Sequence, residues 1–357
     1  MNKIACQSPA GRAGLFGETA DRLDLAASLI EKDFWVCWVL EQIFSSESLS
    51  RTCLFKGGTS LSKVFGLINR FSEDIDLVVD YGPLGFVGDR SPTLGGLSKT
   101  RQQNLLAEML EACRQYVSSE FIGTLRRRFN GILGDEAVWD LQVDELDRNI
   151  VRFRYPPAVA AQVSYVKPEV VLELGTHAEF VPQGQFEVYS FAAQEFPALF
   201  VKPAVKVSSI LAKRTFWEKV TILHAEHHRP ADKPLPGRYS CHYYDVAMIL
   251  RTPAGAEALD DLELLAQVVR HKKIFYPAAW ARYDLAVPGK LKLMPPETRL
   301  ASLRQDYRGM AVMLFGDPPK FETLVAILAD AEQRINAGIT KRTAAPSGES
   351  VRRSAYS

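Results

Sequence analysis

A chain of 357 residues is long enough for about two domains, each with its own buried core. Hydrophobic residues make up 47% of the chain and charged residues 24%, which is the ordinary composition of a globular protein. Because 43 Lys and Arg residues balance 42 Asp and Glu residues, the net charge of +1 excludes a general electrostatic attraction to nucleic acid, and any basic surface must be local.

Cysteine usage and the longest apolar runs bear on the cellular compartment. Five cysteines, at positions 6, 37, 53, 113 and 241, form no Cys-x-x-Cys pair, which favours reduced, mostly buried thiols. The longest apolar runs, 34–40 and 246–250, are too short to span a bilayer, and the N-terminus lacks the apolar segment of a secretory signal. We therefore expect a cytoplasmic protein with no membrane partner.

In chain order, the predicted elements form an α/β N-terminal half and an all-helical C-terminal half. Residues 1–17 show no periodicity and are predicted to be a loose leader. Helical spacing over 23–44 is followed by a short strand, a glycine pair and a helix over 59–68. Strands are then predicted at 74–80 and 168–175, with a long helix over 100–121 between them. Further helices are predicted at 204–228, 240–251, 257–272, 297–314 and 319–336. The predicted domains are 18–197 and 198–338, followed by a disordered tail at 339–357.

The acidic strand lies within the most informative stretch, FKGGTSLSKVFGLINRFSEDIDLVVD, residues 55–80. Asp74 and Asp76 are two residues apart in a predicted strand, so both side chains point to the same face. Adjacent carboxylates raise each other's pKa unless a cation lies between them, and two carboxylates with room for phosphate oxygens are typical of a Mg²⁺ site. For an isolated Asp-x-Asp, a strand end with one solvated face is the commoner interpretation.

A glycine turn precedes this strand. Gly57 and Gly58 follow a short strand and lead into Thr59, Ser60 and a helix, where a backbone without a Cβ and unpaired N–H groups can approach a phosphate. The spacing is not that of a Walker A loop, and a simple tight turn is the alternative. Arg70 and Ser72, just before the acidic strand, are candidate polyphosphate contacts. Together these residues favour phosphoryl or nucleotidyl transfer.

GGTSL followed by RFSEDIDL resembles the motif of the polymerase-β-type nucleotidyltransferases and, among them, of the AbiEii/AbiGii toxin group. The similarity covers most of residues 28–335. It includes the segments IEKDFWVCWVLEQIF (30–44), KRTFWEKVTILHAEHH (213–228), RYSCHYYDVAMIL (238–250), WARYD (280–284) and RQDYRGM (304–310). The resemblance implies an α+β fold, with a short mixed sheet and flanking helices, plus a C-terminal all-helical domain that closes over the site.

The resemblance also implies roles for particular residues. Two Mg²⁺ ions would be held by Asp74, Asp76 and a third acid from PEVVLELG. Glu169 and Glu173 alternate onto one face of that strand; we favour Glu173, nearer the C-terminal end, and leave the choice open. Lys219 in TFWEK would contact the triphosphate, and Asp245 in HYYDVAM would pair with or orient that lysine. Without the resemblance, these last two would be interpreted as a surface charge and a buried helix carboxylate.

The predicted activity is transfer of a nucleoside monophosphate from an NTP to an acceptor, with release of pyrophosphate. By the same resemblance, the chain would be the toxin of a toxin–antitoxin or abortive-infection system, with tRNA as the first acceptor to consider and a separately encoded antitoxin as partner. A protein or small-molecule acceptor, or a non-catalytic nucleotide-binding module, remains open.

Local clusters offer candidates for the acceptor surface and for zinc. The basic and aromatic segment 270–280 and the run Arg126 to Arg128 are candidate RNA surfaces. His224, His227 and His228 have spacings that could hold zinc, but a solvated helix end is the favoured interpretation.

Overall fold

The computed structural model describes residues 1–134, 139–160, 167–176 and 181–338; the predicted tail at 339–357 lies outside the described residues. The strands of these residues form one mixed sheet in the order β3-β4-β5-β2-β1-β7-β6. Their bounds are β1 Cys53–Lys56, β2 Asp74–Val79, β3 Asp140–Val143, β4 Ile150–Arg154, β5 Glu169–Gly175, β6 Gln183–Val188 and β7 Val205–Ile210. The central strand β2 pairs antiparallel with β1 and parallel with β5, while β1 and β7 are parallel.

Helices precede, interrupt and follow the strands. Those of the N-terminal half are α1 Asn2–Ala5, α2 Pro9–Leu23, α3 Ala27–Phe44, α4 Glu47–Thr52, α5 Gly57–Lys63, α6 Lys99–Tyr116, α7 Ile122–Leu133 and α8 Phe191–Glu195. A π-helical segment, Val117–Phe121, joins α6 to α7. Those of the C-terminal half are α9 Ala212–His227, α10 Ser240–Leu250, α11 Pro253–Asp260, α12 Leu262–Phe275, α13 Glu297–Gly309 and α14 Phe321–Asn336. The predicted mixed sheet with flanking helices and a helical C-terminal half is confirmed.

The predicted loose leader is wrong. Helix α2 begins at Pro9, where the Ser8 side chain accepts a hydrogen bond from the Gly11 N–H at 3.2 Å, a standard N-terminal cap. Its residue Phe16 is fully buried, with its ring centroid 5.4 Å from that of Phe34. Three glycines within α2 reduce its apparent helix propensity, but burial of one face stabilises the helix.

The predicted boundary at 197/198 does not coincide with the end of the sheet. Residues predicted to begin a long helix at 204 instead form β7, which pairs along its whole length with β6. Its residues Val205, Val207 and Ser209 alternate in the manner of a strand, but the pattern is too short to be told from the helix that follows. The sheet therefore extends to Ile210.

Two large clusters of buried hydrophobic residues form most of the interior of the described residues. One is built from α2, α3, α6 and α7 against one face of the sheet, with Phe55, Ile75 and Leu77 from its central strands. The other lies among the C-terminal helices and includes Leu61 and Phe71 from the N-terminal half, so the two halves share buried surface. Among the described residues, no helix combines the length and apolar character needed to cross a membrane.

Candidate active site

Three neighbouring strands place charged side chains side by side. The register aligns Lys56 of β1 with Asp76 of β2, and Asp76 with Glu173 of β5. Asp74 lies two residues before Asp76 and faces the same side of the sheet. Ile75, between them, faces the other side and packs in the first hydrophobic core. Because alternation and pairing together set these positions, the predicted acidic pair and one of the two candidate third acids meet on one face.

The register distinguishes the two glutamates of β5. Glu173 lies beside Asp76 and raises the pKa of Asp74 as a neighbouring like charge. Glu169, at the start of the strand, instead accepts a hydrogen bond from Arg152 at 3.2 Å. The geometry therefore favours Glu173 as the third carboxylate of the site.

Both glycines of the turn are required by close approach of other side chains. Gly57 has a φ of +81°, and a Cβ there would lie 1.8 Å from Oδ2 of Asp76. A Cβ on Gly58 would lie 2.5 Å from Nη2 of Arg70 and 2.9 Å from Oγ of Ser72. The turn thus lets the carboxylate and the guanidinium pack against the backbone, a constraint that the phosphate interpretation did not anticipate.

Hydroxyl groups join α5 to the acidic strand. The Thr59 hydroxyl donates to the carbonyl of Asp74, and its oxygen lies at hydrogen-bond distance, 2.9 Å, from Oγ of Ser72. Ser60 donates to the carbonyl of Gly57 at 3.0 Å and is fully buried. In this structure these three predicted nucleotide contacts hold the turn and the acidic strand together.

A buried ion-pair network connects the N-terminal half of the chain to the C-terminal helices. Asp245 on α10 accepts hydrogen bonds from Nε and Nη2 of Arg70 at 2.7 and 2.8 Å, and its Oδ2 lies 3.0 Å from Nζ of Lys219 on α9. Although burial alone raises the pKa of Asp245, these two cations hold it well below its usual range. The predicted Lys219–Asp245 pair is present. Arg70 is also bound to Asp245 and is itself buried.

Lys219 lines a cleft of about 410 Å³ between the sheet and the C-terminal helices. The cleft is also lined by Lys56, Gly57, Gly58 and Asp76 on the sheet side. On the helical side it is lined by residues that the sequence did not single out, among them Glu218, His242, Tyr276 and Trp280. A cleft with a glycine turn, a carboxylate and two lysines is suited to a phosphorylated ligand.

Lys56 is the functional candidate that the sequence interpretation missed. Its ammonium group makes no hydrogen bond or ion pair with any residue that the structure describes, although Glu218 and Asp76 lie near enough to raise its pKa against the effect of burial. The same Lys56, with Lys272, holds the pKa of Glu218 below its ordinary value although burial alone raises it. The position of Lys56 directly before the two glycines could have marked it as a candidate. Whether its side chain faces Asp76, however, depends on how β1 pairs with β2, which the sequence does not show.

The carboxylates of the site repel one another. Burial, together with Glu73, Glu173 and Asp76, raises the pKa of Asp74 to about 7, and Lys32 offsets part of this effect. Carboxylates are the ligand type that Mg²⁺ sites use, commonly one or two of them together with substrate phosphates, so the chemistry of Asp74 and Asp76 suits this cation. Within the described residues, no group of three or more His, Cys, Asp or Glu side chains is arranged to hold a metal ion.

Of the basic segment 270–280 and the histidines, the other predicted clusters, only part lies at the site. Lys272 of the basic segment is buried and lines the cleft, and burial lowers its pKa to about 8. Arg270 and Lys273 are exposed on the outside of α12. His224 is buried, with Nε2 2.9 Å from the carbonyl of Arg282 and Nδ1 accepting from the Lys292 N–H, which favours a structural role over zinc binding.

A mixed sheet that presents an acidic pair beside a glycine turn, facing a lysine of a helical domain, is the arrangement of the nucleotidyltransferases. The family model "Nucleotidyl transferase AbiEii toxin, Type IV TA system" matches residues 38–327. The chain belongs to this family of nucleotidyltransferase toxins of type IV toxin–antitoxin systems, and the resemblance seen in its sequence is confirmed.

Two further comparisons add context. Among solved structures, the chain is similar to MenT4, a nucleotidyltransferase toxin from Mycobacterium tuberculosis H37Rv, with a TM-score of 0.49 and 13% identity over 90% of this chain and 89% of that one. No curated protein matches the chain.

Proposed function

We propose that this protein transfers a nucleoside monophosphate from an NTP to a hydroxyl group of RNA, with tRNA as the first candidate, and releases pyrophosphate. The observation that carries the proposal is the cleft in which Asp76, the glycine turn, Lys56 and Lys219 face one another. Lysines bind phosphate as point charges; Lys56 lies beside Asp76 on the sheet, and Lys219 faces them from the helical side. In the cell, this activity would act in the cytoplasm and arrest growth, with a cognate antitoxin as the opposing partner.

In the proposed reaction, the acceptor oxygen bonds to the α-phosphorus while the bond from that phosphorus to the bridging oxygen of pyrophosphate breaks. Glu173 helps to activate the hydroxyl by accepting its proton; without a bound metal, burial and the neighbouring Asp76 raise the pKa of this carboxyl group. Lys219 and Lys56 bind the phosphate oxygens and the departing pyrophosphate. Asp245 is a positioning residue that holds Lys219 in place.

Asp74 and Asp76, with Glu173, would hold Mg²⁺, and two ions are expected by resemblance. When bound, the metal would neutralise charge on the phosphates and favour ionisation of the attacking hydroxyl. The mutual repulsion that raises the pKa of Asp74 supports this assignment, since a cation between the carboxylates removes it.

The direct test is incubation of the protein with each labelled NTP and Mg²⁺ in the presence of total RNA and, separately, of total protein. We expect label in RNA, none with Asp76→Asn, and growth arrest in cells that express the wild type but not this variant. Label confined to protein would replace RNA as the acceptor class. A wild-type chain that labels neither would contradict the proposal.

A further inference from the structure

Three lysines of the described residues are buried, and one of them lacks an anionic partner there. Lys32 pairs with Glu73, and Lys219 pairs with Asp245. Lys272, in the last turn of α12, is 8% exposed and makes no hydrogen bond or ion pair with any described residue. Its ammonium nitrogen is not among the unpartnered atoms sealed from solvent, and the residue lines the cleft. A buried ammonium group without a partner is costly, so this position favours an anion bound in the cleft.

Cations outnumber anions around Lys272. Glu218 of α9 faces it as a carboxylate, and like charges act on it from β1 and α9, namely Lys56, Arg214 and Lys219. Burial and these cations lower the pKa of Lys272 to about 8, against the opposite effect of Glu218. Glu218 is also engaged by Arg214, whose Nε lies 3.2 Å from its Oε1. A phosphate group bound here would therefore relieve the repulsion between the cations.

Two further titratable side chains lie near the ammonium group of Lys272. His242 of α10 is uncharged at neutral pH, because burial and the charge of Lys219 lower its pKa to about 3. Tyr276, one turn further along α12, has its ring centroid 4.3 Å from Nζ of Lys272, a cation–π contact. Burial raises the pKa of Tyr276, so it is uncharged as well. These contacts hold the lysine in the cleft without neutralising it.

Lys272 lies farther from the acidic row than Lys56 does. Asp76 and Glu173 are among the groups that raise the pKa of Lys56, whereas Lys272 is affected mainly by Glu218 and by the cations of the cleft. In the proposed reaction the α-phosphate lies at the acidic row. The β- and γ-phosphates would then extend into the cleft, toward Lys272.

Of the three lysines that line the cleft, Lys272 is the one suited to give up a proton. The carboxylates near Lys56 hold its pKa above the ordinary value in spite of burial. Lys219 is engaged in an ion pair with Asp245 at 3.0 Å. A general acid works best when its pKa lies near the operating pH, and Lys272 meets this condition.

We propose that Lys272 binds the β- and γ-phosphates of the incoming NTP and donates a proton to the departing pyrophosphate. This inference rests on the proposed function and adds a catalytic residue to it. As the acceptor oxygen bonds to the α-phosphorus, the bond to the bridging oxygen breaks and its electron pair goes to the pyrophosphate. Nζ of Lys272 transfers one proton to that pyrophosphate, and the neutral amine then regains a proton from solvent.

Two substitutions separate the charge of Lys272 from its capacity to donate a proton. Lys272→Arg keeps the positive charge but binds its proton too tightly to act as an acid, and Lys272→Met removes the charge and keeps an unbranched side chain. Lys213→Arg is the matched control, because Lys213 pairs with Asp261 at the start of α12 and does not line the cleft. Thermal unfolding shows whether the fold is kept, and Lys272→Met should be at least as stable as the wild type.

The first measurement is the Kd for inorganic pyrophosphate with Mg²⁺, by calorimetric titration. We expect Lys272→Met to weaken binding at least about tenfold, as the loss of one charge-assisted contact predicts. Lys272→Arg should stay within about threefold of the wild type, because its charge remains. The control should match the wild type. This measurement does not depend on nucleotide transfer.

The second measurement compares single-turnover transfer to RNA from two NTP analogues, one with a β,γ-difluoromethylene and one with a β,γ-methylene group. The first releases a less basic leaving group than the second. Because a proton donor offsets the basicity of a leaving group, the ratio of the two rates should be at least about fivefold larger in both Lys272 variants than in the wild type. With ordinary NTP, the wild-type rate should fall as pH rises through the pKa of Lys272, and Lys272→Arg should lack this fall.

Two results would overturn the inference. An unchanged Kd for pyrophosphate in Lys272→Met would remove this lysine from the phosphate site. A Lys272→Arg variant with the rate, the analogue ratio and the pH profile of the wild type would show that only the charge matters and that no proton is donated. A wild-type chain that binds pyrophosphate through Lys272 but transfers no nucleotide would contradict the proposed function, and the proton-donor role with it, while the pyrophosphate site would stand.

Discussion

At the scale of single residues, the site is defined by charges that the fold brings together without fully compensating them. Burial raises the pKa of Asp76, and the neighbouring cations Lys56, Lys219 and Arg70 offset part of that effect. Fewer cations offset the negative charge around Asp74: burial and three neighbouring carboxylates raise its pKa to about 7. The conformation that suits a metal and a triphosphate therefore carries an electrostatic cost when neither is bound.

This cost predicts a pH-dependent effect of Asp74→Asn. The folded pKa near 7 exceeds the ordinary value of about 3.9, so the wild type loses stability as pH rises from about 4 to 7. At pH 8 the variant should be more stable by at most about 4 kcal/mol, and at pH 4 the gain should vanish. Denaturant unfolding at several pH values measures the difference, and Mg²⁺ should raise the Tm of the wild type more than that of the variant.

The control is Asp80→Asn, directly after the same strand, where the new side-chain oxygen can still accept the hydrogen bond from the Gly82 N–H. It should show no pH-dependent gain. A gain at Asp74 that is equal at pH 4 and pH 8 would show that charge repulsion is not its cause.

A second residue-scale prediction compares the two glutamates of β5. Glu173→Gln should reduce nucleotide transfer at least about 100-fold, because it removes both the proposed proton acceptor and a proposed metal ligand. Glu169→Gln lies on the same face of the same strand and should stay within about threefold, since its carboxylate contacts Arg152. Single-turnover rates with saturating NTP and Mg²⁺ distinguish them. Similar losses in both variants would reject the assignment of Glu173.

At the scale of elements, α9 carries the lysine that faces the sheet, Lys219, and α10 carries its partner Asp245. Lys219 is nearly buried, 7% exposed, and its ammonium group lies between Asp245 and the cleft. Asp245 in turn holds Arg70 in the loop before β2. A single carboxylate on α10 thus fixes both a helix lysine and the entrance to the acidic strand, which couples the geometry of the sheet to that of the C-terminal helices.

Lys219→Ala should therefore weaken NTP binding about 10- to 100-fold, the loss of one charge-assisted contact. The Kd for RNA alone should change less than twofold. The matched control is Lys213→Ala on the same helix, whose ammonium group pairs with Asp261 and does not line the cleft. Calorimetric titration with an NTP and Mg²⁺ measures the affinity, and an unchanged Kd for Lys219→Ala would remove this lysine from the triphosphate site.

At the scale of the whole molecule, the second core packs residues of the N-terminal half among the C-terminal helices. The N-terminal helices close the first core: Phe16 contacts Phe34, and the Asn2 side chain accepts a hydrogen bond from the indole N–H of Trp38 at 2.9 Å. Leu61 follows the glycine turn, Phe71 precedes the acidic strand, and both belong to the second core. The site thus lies where both cores meet.

Phe16→Ala should accordingly lower the free energy of unfolding by about 3–5 kcal/mol, because it leaves a cavity under α3. Leu146→Ala is the control, since Leu146 is 98% exposed and its removal should change stability by less than about 0.5 kcal/mol. Urea unfolding monitored by tryptophan fluorescence measures both. If Phe16→Ala were as stable as the control, the predicted loose leader at 1–17 would be the better description of this segment.

The local features of this protein could be predicted from the sequence alone. The acidic pair, the glycine turn and most of the C-terminal helices depend on spacings of one to four residues, which are visible in a linear chain. The tertiary structure decided the rest. Sequence position already favoured Glu173, but the pairing of Glu173 with Asp76, and of Lys56 with Asp76, depends on strand register, which is a relation between segments far apart in sequence. The local sequence patterns of strand β7 and helix α2 are weak. Pairing with β6 stabilises β7, and burial of one apolar face stabilises α2.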